Sequence, residues 1–434
     1  MRIIETRAHA PRQVAEQLAQ PVLEAAAEQE AVVRETIEAV RARGDEAVIE
    51  YTRRFDWPEA SPDRLAATQQ EAAAARAEVG EDFLAAVRHA AANLRRFHER
   101  QLPSDWIDLA QTGALLGQKF TPIERVGVHV PGFTAAYPSS LIMTVVPAQV
   151  AGVAEIVLVT PAGKDGAVPA ATLAAASELG VERVLKVGGA QAIAALAYGT
   201  DTIPKVDKIF GPGSIWVMLA KRMVYGTVGV DGLYGPSEVA IIADETADPR
   251  LIAADLLAQA EHMTDSPAYL LTPANDLVDP VQSEIDGQLP QLSRREIARE
   301  ALQRFGAFVL TKDLDEACAV VNEIAPEHVQ ICTAEPFAQL AKVRNAGCIF
   351  LGSSSPVAMG DYVIGPSHVL PTGRTARFSS GLGTMDFIKR SSIVYTSQQA
   401  VRENLDALRA LADLEGFDAH LRAVQARLRT PEQT

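Results

Sequence analysis

The stretch that decides the fold runs from residue 125 to residue 226, where short apolar segments alternate with alanine-rich ones. In order it contains RVGVHVPG (125–132), SSLIMTVVPAQVAG (139–152), EIVLVTPAG (155–163), ATLAAASELG (171–180), RVLKVGG (183–189), AQAIAALAYG (190–199), KIFGPG (208–213) and SIWVMLAKRMVYG (214–226). β-Branched strands that end in glycine or proline turns, each followed by a helix, indicate βαβ units with parallel strands. The sequence therefore predicts an α/β fold.

The same alternation resumes further along the chain. The predicted strands there are SEVAIIAD (237–244), AYLLT (268–272), AFVLT (307–311), VQICT (329–333) and CIFLG (348–352). The first hundred residues and the part after Asp386 have apolar residues at helical spacing, with Gly44 and Gly80 where helices stop or restart. We expect two similar parallel sheets, with helical segments at both ends of the chain.

Composition excludes several classes of function. The chain has 434 residues, 48% of them hydrophobic, which predicts a large core and two or three domains. Its 40 basic and 55 acidic residues give a net charge of −15, which disfavours nucleic acid as a partner. The most hydrophobic window, 139–160, is interrupted by Pro147, Gln149 and Glu155 and reads as a helix and a strand, not a membrane span. The N-terminus has no apolar signal region, so we expect a soluble, cytoplasmic protein.

Eight histidines and three cysteines carry the first hints of chemistry. Cys318, Cys332 and Cys348 lack C-x-x-C spacing, and we interpret them as buried thiols in a reducing compartment. Three histidines of the N-terminal region, His9, His89 and His98, are interpreted as surface or packing residues. The five others lie in turn-rich or polar settings: His129, His262, His328, His368 and His420.

Four of these histidines belong to pairs of polar residues, and each pair has a structural interpretation as well as a chemical one. Gln259 and His262 are three residues apart on a predicted helix, which suits either zinc or a surface helix. Glu327 and His328 follow Pro326, which suits either acid–base chemistry or a helix start. The following clusters are Asp361 with His368, in a glycine- and proline-rich loop, and Glu415 with His420, on an amphipathic tail.

Two glycine turns could face a phosphate. The sequence has no G-x-G-x-x-G, so the usual dinucleotide fingerprint is absent. VGGAQAIAAL around Gly188 and IFGPGSIWV around Gly211 instead place glycine between a predicted strand and a helix N-terminus. Backbone N–H groups and the helix dipole favour an anion there, although a tight turn without a ligand has the same sequence.

Taken together, these motifs resemble the histidinol dehydrogenase family over nearly the whole chain. The matching segments are VGVHVPG, AAYPSSLIM, VGGAQAIAALAYGTDTIPKVDKI, GPGSI, YGPSEV, LLAQAEH, APEHVQ, GDYVIGPSHVLPTGRTARFSSGL, DFIKR and EGFDAH. The resemblance implies an NAD- and zinc-dependent oxidation of L-histidinol through L-histidinaldehyde to L-histidine.

The resemblance also implies roles for individual residues. Glu327 would activate water for the aldehyde step, and His328 would be the general base. The residues that match zinc ligands are Gln259, His262, Asp361 and His420. The residues that match substrate contacts are Ser237, Gln259, His262, Glu327, Asp361, His368, Glu415 and His420. The residues that match cofactor contacts are His129, Gln191 and Ser214.

The resemblance further implies a homodimer with two incomplete Rossmann-like domains and helical N- and C-terminal extensions. The implied division is an N-terminal helical extension (1–26), a discontinuous α/β domain with most of the metal and catalytic site (27–128 and 238–382), an inserted cofactor-binding domain (129–237) and a helical tail (383–434). The tail would reach the partner's active site, so that Glu415 and His420 complete it.

Three positions depart from the family pattern. His129 stands where a tyrosine is usual, Ser214 where an asparagine is usual, and Phe133 in the second position of a usual Gly-Gly pair. These departures leave room for a paralogue that acts on another small amino or hydroxy alcohol. A zinc hydrolase and a non-catalytic zinc-binding protein are further alternatives, although hydrolysis does not require paired α/β domains.

Overall fold

The computed structural model describes residues 1–8, 10–18, 27–132 and 136–428. The strands are β1 (Arg2–Glu5), β2 (Trp106–Leu109), β3 (Leu115–Pro122), β4 (Arg125–His129), β5 (Glu155–Val159), β6 (Arg183–Leu185), β7 (Lys208–Phe210), β8 (Gly229–Val230), β9 (Val239–Ala243), β10 (Ala268–Thr272), β11 (Ala307–Leu310), β12 (His328–Cys332), β13 (Cys348–Leu351) and β14 (Ile388–Tyr395).

The helices are α1 (Pro11–Leu18), α2 (Ala27–Arg43), α3 (Asp45–Phe55), α4 (Gln69–Glu99), α5 (Pro138–Ala151), α6 (Ala170–Glu178), α7 (Gly189–Tyr198), α8 (Ile215–Val224), α9 (Pro249–Ala260), α10 (Val278–Gln288), α11 (Arg295–Phe305), α12 (Leu314–Ile324), α13 (Pro336–Leu340), α14 (Val357–Tyr362), α15 (Gln398–Glu415) and α16 (Asp418–Gln425). None of these described helices is both long and apolar enough to cross a bilayer. Gly44 (φ 55°) and Gly80 (φ 75°) interrupt the helical region where the sequence predicted it.

Two parallel sheets form the centre of the described chain, which confirms the predicted fold class. The five-stranded sheet has the order β6-β5-β4-β7-β8, and the six-stranded sheet has the order β1-β11-β10-β9-β12-β13. Numbered along the chain from β4 and from β9, both follow the order 3-2-1-4-5, which is the Rossmann order without its sixth strand, and β1 is added at one edge of the larger sheet. The strand order reverses between β4 and β7 in one sheet and between β9 and β12 in the other.

Side chains that alternate along each strand bury both faces of the five-stranded sheet. In β5, Val157 and Val159 pack with α2, α3, α7 and α8, whereas Leu158 between them packs with α4, α5 and α6. In β7, Ile209 and Phe210 divide in the same way. This two-sided burial explains why these strands are continuous apolar runs in the sequence.

The six-stranded sheet is built on the same principle. Leu270 faces a cluster with α9, α10 and α11, whereas its neighbours Tyr269 and Leu271 face α1 and α12. The parallel sheets thus place their helices on both faces and leave the strand ends open to carry functional groups.

Three segments pack differently from what the predicted division into domains implies. Residues 2–5 are not part of a helical extension, because they pair with 307–310 as an edge strand of the six-stranded sheet. Helices α2, α3 and α4 pack on the five-stranded sheet, although residues 27–128 were grouped with residues 238–382. The tail is not wholly helical, because 388–395 pairs with 115–122 in an antiparallel sheet with β2.

Candidate active site

The predicted catalytic pair stands at the amino end of a central strand of the six-stranded sheet. α12 ends at Ala325 in the left-handed conformation (φ 51°), and Pro326 then directs the chain into β12. Glu327 and His328 are 6% and 2% exposed. His328 pairs in register with Val239 of β9 and with Cys348 of β13. The pair is therefore held by a rigid strand and shielded from water.

Hydrogen bonds fix the orientation of the His328 ring. Its Nδ1 lies 3.2 Å from the carbonyl oxygen of Glu238, and that oxygen can only accept, so Nδ1 carries the proton when the ring is neutral. Burial lowers the pKa of His328 to about 3. Its Nε2 then has a free lone pair and lies 3.7 Å from Oδ1 of Asp361. This tautomer suits a base that acts through Nε2.

Burial shifts the pKa of Glu327 in the direction opposite to that of His328. Its Oε2 accepts the backbone N–H of Glu238 at 3.1 Å, and its carboxyl also hydrogen-bonds Ser237. Burial nevertheless raises the pKa of Glu327 well above its ordinary value, with further contributions from Glu238 and Asp361. A carboxyl group with a raised pKa can exchange protons near neutral pH.

The three predicted zinc ligands of this chain converge on the same region. His262 Nε2 lies 4.0 Å from Asp361 Oδ2. Gln259, the last buried polar side chain of α9, donates from Nε2 to Ser237 Oγ at 2.8 Å. Its other amide atom, Oε1, is buried and has no hydrogen-bond partner among the described residues. The sequence predicted both residues on the helix, but His262 lies two residues beyond its end at Ala260.

This donor set fits a zinc ion. An unpartnered buried amide oxygen is costly unless a ligand satisfies it. Imidazole nitrogen and carboxylate oxygen are ordinary zinc ligands, and tetrahedral zinc separates its donors by about 3.4 Å. Within the described residues, no group of three or more histidine, cysteine, aspartate or glutamate side chains could hold a metal ion. The donors that this chain offers here are the His262 imidazole, the Asp361 carboxylate and the buried Gln259 amide oxygen.

His368 joins the two sheets at this site. Its Nδ1 lies 2.8 Å from the carbonyl oxygen of Asp361, and its Nε2 lies 3.3 Å from Ser140 Oγ. Ser140 is on α5, a helix of the five-stranded sheet, whereas His368 follows α14. Burial lowers the pKa of His368 to about 4. His328, Asp361 and His368 border a narrow gap that is too small to admit a water molecule.

The tail residues lie away from this cluster in the described chain. Glu415 ends α15 and His420 is on α16, and both are exposed. The contacts of His420 within the described residues are with Phe417, whose ring centroid is 5.2 Å from the imidazole. One subunit alone therefore does not bring His420 to Asp361.

The predicted cofactor contacts lie at the carboxyl edge of the five-stranded sheet. His129 ends β4, its Nδ1 lies 2.8 Å from the Pro212 carbonyl oxygen, and burial lowers its pKa to about 4. Ser214 is exposed at the start of α8. Gln191, however, is 2% exposed, and its Nε2 lies 3.5 Å from Asp56 Oδ2.

Sequence reasoning missed several residues that shape the site. Glu238 is 6% exposed, accepts the Gly373 N–H at 2.9 Å, and has its pKa raised by burial to about 7. A carboxylate that opens the otherwise apolar strand EVAIIA was its signal in the sequence. Ser140 had no such signal, because its contact with His368 spans 228 residues. His9 and Phe133 lie outside the described residues.

His89, His98 and the three cysteines have settings that bear on their predicted structural roles. His98 is fully buried with Nδ1 3.0 Å from Gln101 Oε1, and His89 is exposed, as the packing and surface interpretation required. Cys318 and Cys332 are buried free thiols, and Cys348 is partly buried. Burial raises the pKa of Cys332 to about 12 and that of Cys348 to about 11, which makes both thiols poor nucleophiles.

Comparison with known proteins identifies the family. The family model described as histidinol dehydrogenase matches residues 20–428. The chain belongs to the histidinol dehydrogenase family. It is 52% identical over 405 residues to histidinol dehydrogenase of Geobacillus kaustophilus, covering 93% of this chain and 95% of that one.

Two further members of the histidinol dehydrogenase family are similar to this chain, one in sequence and one in structure. Histidinol dehydrogenase of Halalkalibacterium halodurans is 52% identical over 400 residues, covering 92% of this chain and 94% of that one. The crystal structure of histidinol dehydrogenase from Elizabethkingia anophelis superimposes with a TM-score of 0.93 at 34% identity, covering 99% and 98% of the two chains. The family's fold therefore extends over both parallel sheets and over the antiparallel sheet of β14, β3 and β2, which we call the antiparallel arm.

Proposed function

We propose that this protein oxidises L-histidinol through L-histidinaldehyde to L-histidine in histidine biosynthesis, with NAD as oxidant and one zinc ion per subunit. The observation that carries the proposal is the buried Glu327–His328 pair, which adjoins Asp361, His262 and the Gln259 amide oxygen, an atom with no hydrogen-bond partner in the described part of the chain. The overall reaction is balanced when the alcohol, two NAD⁺ and one water give the carboxylic acid, two NADH and protons.

His328 would take the hydroxyl proton of the substrate. The Glu238 carbonyl holds the ring with Nδ1 protonated, so the free Nε2 faces the Asp361 side of the site. Because burial keeps the imidazole neutral, it is ready to accept a proton across the whole ordinary pH range. NAD, when bound, supplies the acceptor for the hydride that leaves the same carbon.

Glu327 would serve the second oxidation. Its hydrogen bonds to Ser237 and the Glu238 N–H hold the carboxyl group in place, and its raised pKa makes the ionised form a stronger base toward water. That water adds to the aldehyde to give a gem-diol, which then loses its own hydride. His328, whose Nδ1 lies 3.6 Å from Glu327 Oε2, can receive the next hydroxyl proton after it has released the first one to solvent.

Zinc would be held by Gln259, His262 and Asp361 of one subunit together with His420 of the partner subunit. When bound, zinc supplies a Lewis-acid anchor that orients the imidazole and amino nitrogens of the substrate. Ser237 and His368 would contact the substrate from the same side. Glu415 of the partner subunit would complete the site.

NAD would bind at the carboxyl edge of the five-stranded sheet. Dinucleotides bind where the strand order reverses, which in this sheet is the gap between His129 of β4 and Gly211 after β7. Individual helix starts differ in whether a side chain caps them. α9 and α12 beside the six-stranded sheet are capped by the Asp248 and Asp313 carboxylates, whereas α8 begins at Ser214 with no side-chain cap among the described residues. The open N-terminus favours an anion such as a phosphate.

A second copy of the chain would cover the antiparallel arm. The apolar side chains of this arm and of the tail are unusually exposed: Ile107 60%, Leu109 70%, Val394 67%, Tyr395 62%, Leu411 65%, Leu414 89% and Phe417 53%. So many exposed apolar side chains in one part of the chain are typical of an interface between subunits. The side chains of Met263 (60% exposed) and Tyr362 (60% exposed), beside His262 and Asp361, offer a matching apolar rim. We therefore infer a homodimer in which each tail reaches the other subunit's site.

The test is oxidation of L-histidinol by the purified dimer with NAD, before chelation, after chelation and after zinc is restored. We expect activity that disappears and returns with zinc. His262→Asn should lower zinc affinity by more than about 100-fold, because even outer hydrogen-bond partners of ligands contribute about 10–100-fold. His89→Asn, a change at an exposed histidine of α4, is the control and should leave zinc content unchanged.

Each contrary result has a separate meaning. Unchanged zinc content in His262→Asn would overturn the ligand assignment. A folded, zinc-loaded protein that ignores L-histidinol but reduces NAD with another small amino alcohol would identify a paralogue. Ester or amide hydrolysis without nucleotide would identify a hydrolase.

A further inference from the structure

A buried ion pair holds the glycine turn that follows β7. Gly211 has φ 106°, and a side chain there would bring its Cβ within 2.1 Å of the His129 carbonyl oxygen. Its N–H donates to Asp231 Oδ2 at 2.7 Å, and its carbonyl oxygen accepts from Lys221 Nζ at 3.0 Å. Both hydrogen-bonding groups of Gly211 are thus held by side chains of opposite charge.

The two charged side chains are completely enclosed. Lys221 and Asp231 are each 1% exposed and form an ion pair with one another. Asp231 Oδ1 also accepts the Gly232 N–H at 2.7 Å, and the Lys221 ammonium lies 4.9 Å from the Tyr234 ring centroid. Lys221 is on α8, and Asp231 follows β8, so the pair closes the segment between them around Gly211.

Stability alone does not account for this arrangement. Two charges lose their hydration when they are buried, and an apolar pair of similar volume is often as stable or more stable. An apolar pair, however, cannot bond to the N–H and the carbonyl oxygen of Gly211. On the other side of the turn, His129 Nδ1 bonds the Pro212 carbonyl oxygen at 2.8 Å. Three successive peptide groups, from Phe210–Gly211 to Pro212–Gly213, are therefore each held by a side chain, just before Ser214 opens α8.

We propose that Lys221 and Asp231 are positioning residues for the cofactor, which hold the Gly211–Ser214 turn in the shape that receives it. The inference rests on the proposed function, because it takes NAD to bind at this edge. Neither side chain touches the cofactor in this account. They act by keeping the N-terminus of α8 and its preceding glycines in one conformation, so that NAD binding does not have to order the turn.

The test is the double variant Lys221→Met/Asp231→Leu, which removes both charges together and leaves no unpaired buried ion. We expect its melting temperature to stay within a few degrees of the parent's, while its Kd for NADH rises at least about tenfold. KM for NAD should rise in parallel, and KM for L-histidinol should change less than about twofold. If the ion pair served only the stability of the fold, its removal would not raise KM for NAD while leaving KM for L-histidinol nearly unchanged.

The matched control is Arg125→Met/Glu155→Leu, an ion pair at the opposite, amino edge of the same sheet. It should leave the Kd for NADH unchanged. If the Lys221/Asp231 variant does not fold, Lys221→Met/Asp231→Asn keeps an acceptor for the Gly211 N–H and is measured in its place. A folded variant with parental NADH affinity overturns the proposal, and so does unfolding of both variants, since the pair would then serve the fold. A parent that binds no NADH would instead refute the proposed function.

Discussion

At the scale of single residues, the site separates the protonation behaviour of two adjacent side chains. Glu327 and His328 are both buried, and burial always disfavours the charged form. For the carboxyl group this raises the pKa, and for the imidazole it lowers the pKa, so both groups become neutral from opposite directions. The neutral His328 imidazole can accept a proton directly, whereas Glu327 accepts a proton from water only after it has given up its own.

Burial of the Asp56 carboxyl group lowers the stability of the folded protein at neutral pH. Burial raises its pKa to about 6, although the Gly188 N–H and Lys164 act against the shift. The folded protein then keeps a proton that the unfolded chain has already lost, so the contribution of Asp56 to stability falls as the pH rises from about 4 to about 6. From the size of the shift, this loss amounts to about 3 kcal/mol.

The variant Asp56→Asn has no such titration. The free energy of unfolding of the variant minus that of the parent should therefore increase by about 2–3 kcal/mol between pH 4 and pH 7. Urea denaturation of both zinc-free, NAD-free proteins at the two pH values measures this. A difference that does not change with pH would show that Asp56 titrates normally in the folded state.

At the scale of secondary-structure elements, two helix N-termini are expected to respond oppositely to loss of a polar side chain. Asp313 caps α12 by accepting the Glu316 N–H at 2.8 Å, so Asp313→Ala should lower stability by about 1 kcal/mol and leave NADH affinity unchanged. Ser214 makes no cap hydrogen bond within the described chain, so Ser214→Ala should change stability by less than about 0.5 kcal/mol but weaken NADH binding.

Thermal unfolding and NADH titration of both variants check this contrast. If Ser214→Ala destabilised the protein as much as Asp313→Ala did, the serine would be an ordinary cap. The N-terminus of α8 would then not be reserved for a ligand.

The strands of the two parallel sheets were predictable, whereas the antiparallel arm was not. Strands such as EIVLV and AYLLT are buried on both faces, so they are continuous apolar runs that stand out from the helices. β14, with the sequence IKRSSIVY, is half polar and mostly exposed, and it pairs with β3 more than 260 residues earlier, from Ile388 with Pro122 to Tyr395 with Leu115. Neither local periodicity nor a nearby turn marks such a strand.

In the candidate site too, residues that are close in sequence were predictable, whereas contacts between distant segments were not. Glu327 with His328, and Gln259 with His262, are close in sequence, and their residue types already suggested chemistry. Contacts between the sheets, such as Ser140 with His368, depend on how α5 packs, which no short motif encodes. The domain assignment of α2 to α4 was likewise decided by packing, because their apolar faces fit the five-stranded sheet.

At the scale of the whole molecule, the exposed tail makes the dimer part of the catalytic unit. A shared site predicts complementation between inactive subunits. His420→Asn and His328→Asn dimers should each be inactive, but mixed dimers contain one site with both histidines. After complete exchange of equal amounts, statistics predict about a quarter of the parent's activity.

The measurement is activity after dissociation and reassociation, with subunit exchange verified by native mass spectrometry. Recovery close to that value supports the shared site. Persistent inactivity of verified mixed dimers would place His420 outside the partner's site, and the exposed apolar arm would then need another explanation.

The central claim is that one site performs both oxidations, and the most direct test is the number of NADH formed per L-histidinol consumed by the zinc-loaded dimer. We expect two NADH per L-histidinol for the parent protein. For Glu327→Gln we expect a shift toward one, with aldehyde accumulating, because the water-dependent step is slowed more than the first. One NADH per substrate in the parent, or equal slowing of both steps in Glu327→Gln, would contradict the central claim.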